Sequence, residues 1–418
     1  MTRADELSTF AVQLARQTGT SRTPPADWGD AFFRLNGAIH DGERTVVLLD
    51  EISWLAYDDD TFAGELKRAW DNLFKKHSHL ILVLCGSVSS WIRENIVDNS
   101  AYMGRRSLDL VVRELSLREC VQFWGRATAR VPSREIFDVL SVTGGVPRYL
   151  EEIDPGASAN ENIRRLAFLP KSILRMDFDE MFSDVITKRP QFTGDVLRAL
   201  SDGTKGAAEI ADCLGVPKSG NITSALVRLE EAGFVALESG LNPETGRESK
   251  ERRYRLRDNY SRFYLKYIDP VKKIIDAGSY CFTSMEQFDG WDAVMGLAFE
   301  NLIVNNYREL LKPLHLERAL IVSAAPFRRE SGNAMARKGV QVDLVLQTKL
   351  AVCLVEIKRR KQLGREVISE MEEKCKRITR PDGVSLKTAL VYDGELVPSV
   401  EADGYFDAVI DARTLLGL

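Results

Sequence analysis

At 418 residues the chain has room for two or three domains of about 150 residues each. Its 44% hydrophobic and 28% charged residues exclude a disordered or fibrous polymer. A net charge of −4 neither requires nor forbids a nucleic-acid partner, because a basic face on one domain can hide in a neutral average. The six cysteines, Cys85, Cys120, Cys213, Cys281, Cys353 and Cys375, form no C-x-x-C pair and sit mostly in apolar runs, which points to reduced, buried thiols and no metal knuckle. No stretch resembles a signal peptide or an 18-residue apolar span, so the expectation is a soluble cytoplasmic protein with no membrane partner.

In chain order, the first 44 residues read as two amphipathic helices, near 5–17 and 27–40, separated by a turn at Pro24-Pro25. Leu7, Phe10, Ala11 and Leu14 line the first; Trp28, Phe32, Phe33, Leu35 and Ile39 line the second. A strand at 45–50 follows, where Val46, Val47, Leu48 and Leu49 have the unbroken apolar pattern of a parallel strand covered on both faces. It runs into Asp50 and Glu51, at the sheet edge where open α/β folds bind ligands. The plain alternative is a buried strand ending in an acidic loop. Helices are expected near 61–76 and 88–96, and further strands at 79–85 and 108–113. The second strand leads to Cys85-Gly86-Ser87, which places Ser87 on the same edge as Asp50.

Further along come Tyr102-Met103-Gly104-Arg105-Arg106, Leu115-Ser116-Leu117-Arg118-Glu119 and Thr143-Gly144-Gly145-Val146-Pro147-Arg148-Tyr149-Leu150. With the LLDEI and CGS segments, in this order, they resemble the archaeal-type ATPases of the AAA+/STAND assemblage. The resemblance covers most of the chain, since that family continues into a winged helix and a nuclease-like domain. It implies that Asp50 holds Mg²⁺ in a Walker B role, that Glu51 orients the attacking water, and that Ser87 is the sensor-1 residue. It also implies that Arg105, Arg106 and Arg148 approach the nucleotide; otherwise they are surface arginines, or in Arg148 a helix-start residue. One part is missing. No G-x-x-x-x-G-K-[ST] occurs, and Gly215-Val216-Pro217-Lys218-Ser219 lacks the glycine before the lysine. The expectation is therefore an N-terminally truncated member that binds ATP weakly or not at all.

After a lid or linker at 161–188, the segment 189–270 reads as a winged helix-turn-helix. Its third helix buries Ile222, Ala225, Leu226 and Leu229 and presents Asn221, Thr223, Ser224 and Arg228. The wing turns at 242–247, with Lys250, Arg252, Arg253, Arg255 and Arg257 nearby. Two readings stay open: Asn221, Thr223, Arg228, Arg252, Arg253 and Arg255 contact DNA, or the module packs on protein, as winged helices in STAND-type proteins often do.

From 285 to 418 the pattern becomes helix, hairpin, helix. With 347–350 as the loop, Leu346 would pair with Ala351 and Asp343 would fall opposite Leu354. Period-two alternation then puts Asp343, Glu356 and Lys358 on one face, opposite Val342, Leu344, Val355 and Ile357. A D…E-x-K set on adjacent strands looks like the PD-(D/E)XK nuclease core. That resemblance implies Asp343 and Glu356 as Mg²⁺ ligands, Glu300 as a supporting acid, and Lys358 acting on water and phosphate. Lys358-Arg359-Arg360-Lys361 would suit a DNA backbone. The plain alternative is an amphipathic hairpin with solvated charges.

The expected fold is thus α/β multidomain: an incomplete P-loop NTPase parallel sheet over 1–160, the 161–188 lid, a winged helix over 189–270 and a restriction-endonuclease-like α/β domain over 285–418. The expected function is that of an archaeal-ATPase-like AAA+ protein with DNA-binding and nuclease-like modules. The alternatives are a Mg²⁺-dependent endonuclease with a structural ATPase remnant and a non-catalytic scaffold. Expected partners are DNA and, through the winged helix, a second copy or a partner protein.

Overall fold

The computed structural model describes residues 2–40, 42–56, 59–86, 90–185, 190–238, 240–248, 252–329 and 339–418, and the chain divides into two compact units, Met1–Val112 and Arg113–Leu418.

In the first unit, helix α1 (Arg3–Thr18) starts on a reciprocal cap: the Thr2 hydroxyl accepts the Asp5 N–H, and the Asp5 carboxylate accepts the Thr2 N–H at 2.8 Å. It stops at Gly19, whose φ of 72° suits a residue without Cβ. Helices α2 (Trp28–Gly37) and α3 (Phe62–Asn72) close a core of Trp28, Phe32, Phe62 and Phe74, whose rings meet mostly edge to face. Strands β1 (Thr45–Leu49) and β2 (Leu80–Leu84) run parallel, Thr45 beside Leu80 through Leu49 beside Leu84.

Two expectations fail here. The sheet is covered on one face only: Val47, Leu49, Leu80, Leu82 and Leu84 meet the core, whereas Val46 and Leu48 are 60% and 56% exposed and Ile81 and Val83 also face outward. Residues 108–113 form no ladder among the described residues, and Val112 is 85% exposed. Apolar composition favours a strand, but without a neighbour to supply hydrogen bonds it remains a single extended segment.

The larger core of the second unit runs from Leu117 to Leu416. Helices α4 (Ser133–Thr143), α5 (Ala159–Ala167), α6 (Ile173–Val185), α7 (Pro190–Ala199), α8 (Ala207–Leu214) and α9 (Gly220–Glu231) lead into a small antiparallel sheet. That sheet has β5 (Arg253–Leu256) between β3 (Lys205–Gly206) and β4 (Val235–Leu237). Helix α10 (Trp291–Asn305) then precedes a five-stranded mixed sheet of order β10-β9-β8-β7-β6. Its strands are β6 (Ser323–Arg329), β7 (Val340–Gln347), β8 (Ala351–Leu363), β9 (Ser385–Leu396) and β10 (Ala408–Asp411). Helix α11 (Glu366–Arg377) contributes Val367, Ile368 and Met371 to a second core, with Leu354 and Leu390 from the sheet.

Candidate functional site

The hairpin β7–β8 pairs Leu346 with Cys353 and Leu344 with Val355, two residues away from the expected register. Only 348–350 then form the turn, where the Thr348 N–H reaches the Ala351 carbonyl at 2.9 Å. A shift of two preserves side-chain parity, so Asp343 arrives beside Glu356 rather than opposite Leu354. Between Val342 and Val345, strand β7 also spends two residues, Asp343 and Leu344, against one of β6, a bulge. The bulge moves Val342 away from Leu344, Val355 and Ile357 into the core beneath α11, which corrects the expectation of a single apolar face. At this irregularity the Asp343 carboxylate accepts the Ile357 N–H at 2.9 Å.

Glu356 is wholly buried. Lys358 Nζ lies 2.6 Å from its Oε1 and 3.0 Å from Glu370 Oε2, and Lys374 on α11 donates to its Oε2. Burial raises the Asp343 carboxyl to about 6, and the neighbouring charge of Glu356 adds to the rise. Glu300 on α10 rises to about 8, from burial first and from Asp343 second. Burial disfavours the Lys358 ammonium, but Glu356 and Asp343 outweigh it and raise its pKa.

The fit of a divalent ion can be judged from these donors. Mg²⁺ takes hard oxygens and commonly binds one or two carboxylates, with water and substrate phosphate completing the shell. Asp343 and Glu356 meet that requirement, although no group of three or more His, Cys, Asp or Glu converges as a metal shell among the described residues. Lys374 was not singled out from the sequence. Its signal was present: it follows Glu370 by one helical turn, so the face of α11 that carries Glu370 carries it too.

The Lys358 to Lys361 run is not a uniform basic strip. The Arg359 side chain is buried, hydrogen-bonded to Asp138 at 2.5 Å and ion-paired with Asp393 at 3.1 Å, because successive strand residues point to opposite faces. The wing arginines are likewise corrected. Arg253 is buried against Glu209 at 2.9 Å, and Arg255 is enclosed between Asn305 at 3.1 Å and Glu238 at 3.6 Å, so neither reaches a phosphate. Arg252 is exposed. The turn at 242–246 docks on the large sheet: Glu244 meets Arg329 at 2.5 Å and the Thr379 N–H at 3.2 Å, and the Leu241 N–H meets Ser323 Oγ at 3.0 Å. Asn221 and Thr223 are exposed on α9, and Arg228 is half-buried.

In the first unit, Asp50 accepts the Glu51 N–H at 3.0 Å and lies against Cys85, whose thiol it holds upward from its ordinary pKa. Glu51 has φ of 48°, the left-handed region that a residue with a Cβ seldom adopts. Ser87 lies outside the described residues. Arg105 forms a two-pronged pair with Asp71 at 2.8 and 2.9 Å, and Arg106 bonds Asp109 at 2.8 Å and the Val97 carbonyl at 3.1 Å. In the second unit Arg148 bonds Glu152 at 3.3 Å and lines a cavity of about 410 Å³ with Arg165, Lys171, Met176 and Asp177.

No family model matches the chain. It is similar to the uncharacterized protein MJECL04 of Methanocaldococcus jannaschii, 23% identical over 347 residues, which cover 82% of this chain and 71% of that protein. Among solved structures it is similar to the Walker-type ATPase PABY2304 of Pyrococcus abyssi, with 16% identity and a TM-score of 0.46 over 63% of this chain and 79% of that one. Protein VC1899 of Vibrio cholerae aligns with 10% identity and a TM-score of 0.24 over 85% and 77%. Among the described residues, no helix is long and apolar enough to cross a membrane.

Proposed function

We propose that the chain is an archaeal-ATPase-like protein whose second unit carries a metal-dependent, nuclease-like phosphodiesterase centre. The observation that supports this reading is the bulge-held Asp343 beside the buried Glu356, with Lys358 next along the same strand. Asp343 and Glu356 would hold Mg²⁺, which when bound supplies a polarised phosphate and an activated water. The chain's own residues do the rest. Lys358 stays protonated beside two carboxylates and offers an ammonium to a phosphate oxygen. Glu300 on α10, its carboxyl pushed up by burial and by Asp343, is the supporting acid of the pair.

In the same reading, α7 to α9 with β3, β5 and β4 form a winged helix whose wing is spent on the protein's own sheet, leaving Asn221 and Thr223 on α9 with Arg252 as the DNA-facing groups. The first unit carries Asp50 and Glu51 directly after β1, the acid pair of an ATPase module.

The test is cleavage of labelled duplex DNA by the full chain with Mg²⁺ or Mn²⁺. Asp343→Asn and Glu356→Gln should each lose at least about 100-fold, the scale of removing one group that stabilises developing charge. Lys358→Ala should lose cleavage while still binding Mn²⁺. Nicking that survives all three substitutions would sink the proposal.

A further inference from the structure

We propose that Lys374 is a built-in cation of this centre, which stands where a divalent ion would contact Glu356 and must swing away before the ion can bind. The inference rests on the metal-carboxylate reading of Asp343 and Glu356 given above.

Four observations carry it. Glu356 is wholly buried, so its charge needs a partner from within the protein. Its two oxygens are divided between two lysines, Oε1 to Lys358 and Oε2 to Lys374. Lys358 is held a second time by Glu370, whereas the charge of Lys374 acts on Glu356 and Asp343, the two carboxylates that the ion would itself serve. Finally, the lysines come from different elements. Lys358 is fixed by the strand that carries Glu356, while Lys374 reaches in from α11 on a long flexible stem, with its side chain 19% exposed. An ammonium is a compact point charge, so a divalent ion can replace it electrostatically. One protein charge then exchanges for one ion without leaving a buried carboxylate bare.

Metal affinity is thereby reduced by the fraction of molecules in which Lys374 has left. The geometry also assigns α11 a role that its apolar face alone does not show, since whatever moves this helix changes the affinity of the centre for metal.

The experiment is Mn²⁺ binding to the full chain, followed by the spin-resonance signal of the free ion, so that no activity is needed. Lys374→Met keeps the stem and removes the charge; it should bind Mn²⁺ at least about tenfold more tightly than the parent, and adding Glu356→Gln should abolish the gain. In the unmodified protein, amine-specific labelling read by mass spectrometry should rise at Lys374 when Mn²⁺ is added and stay constant at lysines remote from the site. This second readout needs no variant to fold. Equal or weaker Mn²⁺ binding by a folded Lys374→Met, with parent binding that Glu356→Gln abolishes, overturns the displacement while leaving the metal reading intact. Labelling of Lys374 that does not change as Mn²⁺ binds overturns it too. If no variant binds Mn²⁺ at millimolar concentration, the metal reading fails and this inference with it.

Discussion

Asp71 gives the sharpest single-residue expectation in the first unit. Its bond to Arg105 lowers the carboxyl to about 2, with Lys67 assisting. A depressed carboxyl contributes its stabilisation above the ordinary carboxylate range and loses it as pH falls through the folded value. Carboxyl NMR should therefore show Asp71 titrating near 2, and Arg105→Ala should move that midpoint upward; a midpoint near 4 in the parent would contradict the pair. The same pair shows what a sequence withholds. Gly104-Arg105-Arg106 reads equally as phosphate-facing or surface arginine, because a partner 34 residues away leaves no local mark. Asp343, Glu356 and Lys358 were legible for the opposite reason. Strand parity is a local property, and it survived a register error of two residues.

At the scale of elements, the wing departs furthest from its sequence. Arg253 and Arg255 sit among turn and basic residues that read as solvent-facing, yet each is matched with a carboxylate inside the second unit. The charges were visible; the acids that neutralise them lie elsewhere in the chain, Glu209 on α8 and Glu238 just after β4. Removing one member of a buried pair leaves an uncompensated charge and costs about 3–5 kcal/mol. Arg255→Ala should accordingly lower stability on that scale in denaturant unfolding. Arg252→Ala should leave unfolding unchanged and reduce the salt slope of DNA binding by about one. If instead Arg255→Ala unfolds like the parent and only the salt slope changes, the wing is a DNA arm after all. The measurement belongs on the full chain, because Asn259 and Asn301 tie the segment that follows β5 to α10 and a fragment ending at 270 would lose half of that network.

At the scale of the whole molecule, the two units were unequally legible. The second contains strong periodic signals, and its α/β content, the two strands of its hairpin and its following helix stand where the spacing put them, although the hairpin register is two residues off. What the spacing could not give was the sharing of one core from Leu117 to Leu416, since contacts between distant segments carry no period. In the first unit two of the three expected strands were legible and their surroundings were not. An unbroken apolar run says that a strand wants cover on both sides; it does not say that the cover is there.

Val46, Leu48, Ile81 and Val83 make that difference a matter of handling as well as of architecture. A two-stranded sheet with one wetted hydrocarbon side behaves as a weak surfactant, and among the described residues no further strand pairs with its edges. The consequence is colloidal: dispersion should worsen as the protein is concentrated, and worsen further in sulfate, which strengthens apolar association. Replacing Val46 and Ile81 with Thr keeps the β-branched shape that suits a strand while wetting the surface. Dynamic light scattering should then show a hydrodynamic radius that stays constant with concentration in the double variant and grows in the parent; equal growth in both would mean that this face takes no part.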